Sequence, residues 1–132
     1  MTRERTSILI DTSILSKHLR SENRQVNELI EAGLVVTHPF ILGELALGSM
    51  SDRMVKIAAF ETLPLLPVAD LDEVRHLIEI RKLYTRGIGY VDAHLISSLL
   101  IVETPIDLWT DDVHLASVAN DLGFLATPPF NL

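Results

Sequence analysis

The sequence predicts an α/β fold, a three-layer α/β/α domain around a central, mainly parallel sheet. Two observations carry this. Short apolar runs alternate with longer segments whose apolar residues recur every three or four positions, and strands alternating with helices imply a parallel sheet covered on both faces. Hydrophobic residues make up 48% of the 132, enough to bury a core and too many for a disordered chain. The length suits one domain, residues 1–132, with little room for two.

The elements follow in order. Ser7-Ile8-Leu9-Ile10, ended by Asp11, reads as a buried strand. Ile14, Leu15 and Leu19, then Val26, Leu29 and Ile30, have helical spacing until Gly33, and Leu34-Val35-Val36 reads as a second strand. Pro39 suits the first turn of a helix from Phe40 to Leu47. Another helix follows Ser51, with Met54, Ile57 and Ala58 on one face. Leu63 to Val68 is apolar but broken by Pro64 and Pro67, which predicts a short edge strand. Asp70 with Glu73 resembles a capping box opening a helix of Leu71 to Tyr84. Gly87 and Gly89 punctuate a loop before a helix from about Tyr90 to Val102. Ile106 to Trp109 is the next strand and Asp112 to Leu122 the next helix; Phe124-Leu125-Ala126 closes the chain as a last strand.

Composition narrows the function. With no cysteine, disulfides, thiolate metal sites and cysteine nucleophiles are excluded. No apolar run approaches the ~18 residues that span a bilayer. Asp11 interrupts the apolar stretch after Arg3 and Arg5, unlike a signal peptide. A soluble, cytoplasmic protein with no membrane partner is therefore expected. Eleven Lys and Arg against 18 Asp and Glu give a net charge of −7, so no large basic surface exists. Action on nucleic acid would require cations to offset this acidity, or basic residues concentrated on one face.

Four acids lie where apolar neighbours should point inward. Glu44 shares a helical face with Phe40, Ile41, Leu47 and Gly48; Asp92 with Leu95, Ile96 and Leu99; Asp112 with Leu115, Ala116, Ala119 and Leu122. Asp11 ends an apolar strand. An isolated buried carboxylate is costly, and few basic residues lie near these positions to serve as four separate partners. Convergence on one hard divalent ion such as Mg²⁺, which takes oxygen ligands and keeps several waters, would offset their repulsion. Taken singly, Asp92 and Asp112 read equally well as helix caps or dipole partners; Glu44, mid-segment, does not.

At these residues the chain resembles the PIN-domain nucleases, specifically VapC-type toxins of toxin–antitoxin pairs. The matching segments are Ile8-Leu9-Ile10-Asp11-Thr12-Ser13, Ile41-Leu42-Gly43-Glu44-Leu45, Gly89-Tyr90-Val91-Asp92-Ala93-His94-Leu95-Ile96 and Leu108-Trp109-Thr110-Asp111-Asp112. Each is short, but the ordered set covers nearly the whole chain. The resemblance implies that Asp11, Glu44, Asp92 and Asp112 are the catalytic acids and ligands of Mg²⁺, with Mn²⁺ a substitute. The fourth acid follows a Thr-x pattern, which selects Asp112 after Thr110 over Asp111, as does the helical face. Ser13 matches a small polar position that would hold Asp11 or a metal-bound water, and Thr110 would orient its neighbours; both read equally as helix caps. The implied activity is a metal-dependent endoribonuclease toxin of a VapBC-type system. An activated water would attack the phosphodiester and leave a 5′-phosphate and a 3′-hydroxyl, with tRNA or rRNA as plausible substrates.

The same resemblance implies a VapB-type antitoxin partner, which often inserts an Arg among the acids, and a homodimer. Ile14, Leu15 and Leu19, with Met54, Ile57 and Phe60, would supply docking surface for such partners or belong to the chain's own core. Lys17, Arg20, Arg53, Lys56, Arg81, Lys82 and Arg86 are the basic residues able to meet phosphates; a solvated helix face explains Arg81 to Arg86 as well. His94 and His114, each two positions after a candidate acid, are expected at the surface or hydrogen-bonded. Trp109 is expected in the core, although it and Tyr90 could stack bases.

Two other classes compete. A Mg-binding phosphoacceptor signalling domain would want an early acid pair, a nucleophilic Asp after the third strand and a late Lys. Here the third apolar strand ends at Asp70 and no Lys follows Lys82. A non-catalytic PIN-like interaction module would not need four retained acids.

Overall fold

A computed structural model describes residues 6–130. Its centre is a parallel sheet in the order β2-β1-β3. The middle strand, β1 (Ser7–Ile10), pairs on one side with β2 (Val35–Val36), Ile8 opposite Val35. On the other side it pairs with β3 (Ile106–Trp109), Ile10 opposite Trp109. Leu9 and Leu108, opposite one another, are fully buried, as expected for strands covered on both faces. Among the described residues seven α-helices surround the sheet: α1 (Thr12–Arg20), α2 (Arg24–Glu31), α3 (Pro39–Ala46), α4 (Arg53–Glu61), α5 (Leu71–Ile80), α6 (Tyr90–Ile101) and α7 (Val113–Asp121). The result is a three-layer α/β/α fold.

The two outer strands expected from sequence shrink to single bridges. Leu65 pairs beside Thr37, and Leu125 beside Leu108. At the first edge Thr37 N–H donates to Pro64 O (2.9 Å) and Leu66 N–H to Thr37 O (2.8 Å). Pro64 and Pro67 have no N–H with which to extend this ladder. At the second, Leu108 N–H donates to Phe124 O (2.7 Å) and Ala126 N–H to Leu108 O (2.8 Å). Gly123, with φ +83°, turns the chain out of α7 into that bridge.

Other expectations change too. Met54 is 81% exposed and Ala58 is exposed, because α4 turns Ile57 and Phe60 inward instead. Ile14, Leu15, Leu19, Ile57 and Phe60 are buried within this chain's own packing, so of the six candidate docking residues only Met54 is free at the surface. Asp70 occupies the cap position of α5 without a side-chain cap bond, so the Asp70–Glu73 capping box does not form. The long helix expected to Tyr84 stops at Ile80; Lys82, at φ +52°, breaks it before a 3-10 turn, Leu83–Thr85.

The most enclosed helix is α6. Every residue from Ala93 to Leu99 is buried, including His94, Ser97 and Ser98. Trp109 is buried as expected and packs edge-on against Phe130 at 4.9 Å. Among the described residues no helix is long and apolar enough to cross a membrane.

Candidate active site

The carboxyl ends of β1 and β3 lie side by side, and Asp11 N–H donates to Trp109 O at 2.9 Å. This pairing puts Asp11 and Thr110, the residues just past the two strands, together at the edge where ligands of parallel sheets gather. Asp11 is buried, 5% exposed, and starts α1 without capping it. Its carboxylate is used elsewhere. Ser13 Oγ and Thr110 Oγ1 both donate to Asp11 Oδ2, each at 2.8 Å. A hydroxyl has one proton, so the 3.2 Å approach between Ser13 Oγ and Thr110 Oγ1 is contact only. Their lone pairs accept backbone N–H groups, Ser13 from Asp111 (3.0 Å) and Thr110 from Asp112 (3.1 Å). Neither residue caps a helix in the ordinary sense; both tie the β3–α7 corner to Asp11.

Among the described residues Oδ1 of Asp11 has only a long contact, 3.4 Å, with the Thr12 hydroxyl. That hydroxyl lies nearer Glu44 Oε1, at 3.1 Å, and so links the start of α1 to α3. Glu44 is exposed rather than inward-pointing, as is Leu47, 90% exposed. The core face of α3 is Ile41 and Leu45, and Glu44 lies off it, on the wall of a cleft. Partial desolvation raises its pKa; the Thr12 bond opposes this and the Asp11 charge adds to it.

Asp92, in the first turn of α6, accepts the Gly89 N–H at 3.2 Å. Burial pushes its pKa up to about 6. The Gly89 bond works against that shift, while the charges of Asp11, Asp112 and Glu44 each add to it. The four acids are therefore one electrostatic unit. Asp112 caps α7, its Oδ1 accepting from His114 N–H (2.9 Å) and Leu115 N–H (3.0 Å). It is exposed and precedes the helix rather than sharing its inner face. The doublet divides cleanly. Asp112 lines the cleft; Asp111 pairs with Lys17 Nζ at 2.9 Å and lines a neighbouring hollow.

All four expected acids line this one open cleft of about 500 Å³, together with Lys17 and Arg20 of α1. Among the described residues no three His, Asp or Glu side chains already close on a common ion position. The donors are carboxylate and hydroxyl oxygens without imidazole. That set fits a hard ion that retains several waters and takes few protein ligands, as Mg²⁺ does.

His114 is exposed as expected, but His94 departs from expectation. His94 is fully buried and neither ring nitrogen has a hydrogen-bond partner among the described residues. It is held instead by rings, Phe40 at 4.5 Å and Tyr90 at 4.7 Å, and burial lowers its pKa. From Ala93 to Leu99 α6 is buried all round, so pointing away from the cleft does not mean pointing to solvent. His38, which carries no sequence signal beyond preceding Pro39, caps α3 by accepting Phe40 N–H at Nδ1 (3.0 Å). Its Nε2 meets Ser98 Oγ at 2.9 Å. Because Ser98 gives its proton to Pro67 O (2.6 Å), His38 must donate from Nε2. Thr12 also went unassigned from sequence, since its bridging role depends on α3 lying beside α1. Arg86 pairs with Asp121 at 2.8 Å and is absent from the cleft walls.

A parallel α/β sheet with carboxylates gathered beyond the carboxyl ends of its strands defines the class. The chain matches the family described as PIN domain over residues 8–120, and it belongs to that family. Within it, the chain is of the VapC type. It is 38% identical over 116 residues to Ribonuclease VapC32 of Mycobacterium tuberculosis strain CDC 1551 / Oshkosh, covering 88% of this chain and 93% of that protein. Identical figures hold for Ribonuclease VapC32 of strain ATCC 25618 / H37Rv.

Proposed function

We propose that this protein is a metal-dependent endoribonuclease toxin, with Asp11, Glu44, Asp92 and Asp112 as its catalytic acids. The observation carrying this reading is that all four acids line one open cleft beyond the carboxyl ends of β1 and β3. Like charges gathered this closely are costly without a cation. These four residues would hold Mg²⁺ or Mn²⁺. A bound ion of this kind neutralises charge on a phosphate and supplies an activated water. The chain's own groups do the positioning. Ser13 and Thr110 fix the Asp11 carboxylate, Thr12 orients Glu44, and the Gly89 N–H orients Asp92. Cleavage leaves a 5′-phosphate and a 3′-hydroxyl, and structured RNAs such as tRNA or rRNA are the proposed targets.

The relatives' name supports a VapB-type antitoxin as partner, and a homodimer as the working assembly is part of the same reading. The test is incubation of purified, partner-free protein with total RNA and Mg²⁺, Mn²⁺ or chelator. Fragments at discrete sites with metal, and none with chelator, are expected. RNA that stays intact with either metal would sink the proposal. Undiminished cleavage by a stable complex with the antitoxin would overturn the inhibitory pairing.

A further inference from the structure

The cleft with the four acids does not stand alone on its face. A hollow of about 440 Å³ adjoins it, sharing Lys17 as a wall, and includes Asp111, Gln25 and Thr127. On the other side a smaller hollow of about 70 Å³ shares Ser16, Arg20 and Glu44, and reaches Gly48 and Ser49. The two outer hollows share no wall, so the three lie in sequence with the acids in the middle. Lys17 stands at one junction and Arg20 at the other. They are three residues apart on α1 and therefore on one helical face.

Charge makes these two residues informative. The protein carries −7 overall and the cleft holds four carboxylates, an environment that repels a phosphate backbone. Among the described residues lining the three hollows, Lys17 and Arg20 are the only Lys or Arg. Both are lightly committed. The Lys17–Asp111 pair is exposed, 71% at the lysine side chain, and exposed pairs contribute little, so a phosphate can replace the carboxylate at little cost. Arg20 donates from Nε to Ser16 O (3.3 Å), and its terminal nitrogens bond to no described residue.

We infer that α1 is a rail for a single RNA strand, with Lys17 and Arg20 each gripping a backbone phosphate on opposite sides of the scissile one. This rests on the ribonuclease reading and adds the path and polarity-neutral contacts of its substrate. The grip is on the backbone, so it adds affinity without reading bases.

The test compares wild type with Lys17→Ala, Arg20→Ala and the double variant, and with Lys17→Arg and Asp111→Asn. Cleavage of an unstructured RNA oligonucleotide with Mg²⁺ is followed at several KCl concentrations. In parallel, anisotropy of the same labelled RNA is measured with Ca²⁺ in place of Mg²⁺. Each alanine is expected to raise KM about fivefold with kcat within about twofold, and to flatten the logarithmic salt slope by about 0.7 per cation. Lys17→Arg restores KM, and Asp111→Asn does not raise it, since Lys17 loses only a competitor. Unchanged KM and salt slope in the double variant would overturn the rail, as would a fall in kcat at constant KM. Wild type that binds RNA with Ca²⁺ but never cleaves it with Mg²⁺ would remove the ribonuclease reading alone; the dissociation constants then decide the rail. Wild type that neither binds nor cleaves removes both.

Discussion

His38 and Ser98 join the helix of Glu44 to the helix of Asp92 through one buried hydrogen bond of 2.9 Å. The same ring accepts Phe40 N–H at Nδ1, and protonation there would remove this cap of α3 while leaving the Nε2–H donation to Ser98 possible. Desolvation, with the neighbouring His94 adding to it, lowers the His38 pKa from 6.5 to about 4. The unfolded chain then binds the extra proton between these values, so stability falls as pH drops through that window. The loss is up to about 3 kcal/mol from this group. Denaturant titrations from pH 7 to pH 4 should show it, and His38→Asn, which keeps a cap but cannot titrate, should flatten the curve. An equally steep curve in that variant would count against His38 as the cause.

Asp92 acts with the opposite sign. Its pKa, raised to about 6, favours the neutral form in the folded protein, so in metal-free protein its ionisation costs stability as pH rises from about 4 to about 7. A two-unit shift corresponds to about 3 kcal/mol, and partial solvent screening reduces this to about 1 kcal/mol. Asp92→Asn keeps an oxygen to accept the Gly89 N–H. Metal-free Asp92→Asn should therefore be more stable than wild type by about 1 kcal/mol at pH 7 and not at pH 4. Calorimetry in chelator reads this directly; a variant less stable at pH 7 refutes the charge argument.

Ser13 and Thr110 act on the same oxygen, so their loss should not be additive. Either Ser13→Ala or Thr110→Val leaves Asp11 Oδ2 one donor and should cost about 1–2 kcal/mol. Together they leave a buried carboxylate without a close donor, and the double variant should lose more than the sum. A double-mutant cycle by chemical denaturation measures the excess. Simple additivity would mean that Asp11 finds another donor.

The adjacent acids Asp111 and Asp112 should separate in function. Asp112→Asn should lower metal-dependent cleavage by about a hundredfold or more, as should Asp11→Asn with the fold retained. Asp111→Asn, which removes only an exposed pair with Lys17, should leave kcat unchanged. Circular dichroism alongside cleavage assays distinguishes lost chemistry from lost structure. Asp11→Asn cutting at the parent's rate would refute its assignment.

Much of this architecture was legible because a strand buried on both faces reads as an unbroken apolar run, as in Ile8 to Ile10. Asp11, Asp92 and Asp112 were legible because each lies at or near an element boundary, whereas Glu44, inside α3, was legible only by its helical spacing. What periodicity missed was direction. Glu44 shares spacing with Leu47, but Leu47 itself is exposed, so the pattern pointed to the wrong face. His94 was misplaced because α6 is enclosed all round and a one-sided stripe never forms. The partnerships of Thr12 and His38 depend on which helices become neighbours, and no local pattern encodes that.

The enclosure of α6 has a consequence for how the site tolerates motion. A segment buried from Ala93 to Leu99 can release its amide protons only when the whole molecule opens, so hydrogen exchange there should track global unfolding. Asp92 immediately precedes that buried stretch, whereas Glu44 rides on a helix with one flank in water. One wall of the acidic cleft is thus an anchored reference, and accommodation of ions or strands of different size falls to the opposite wall.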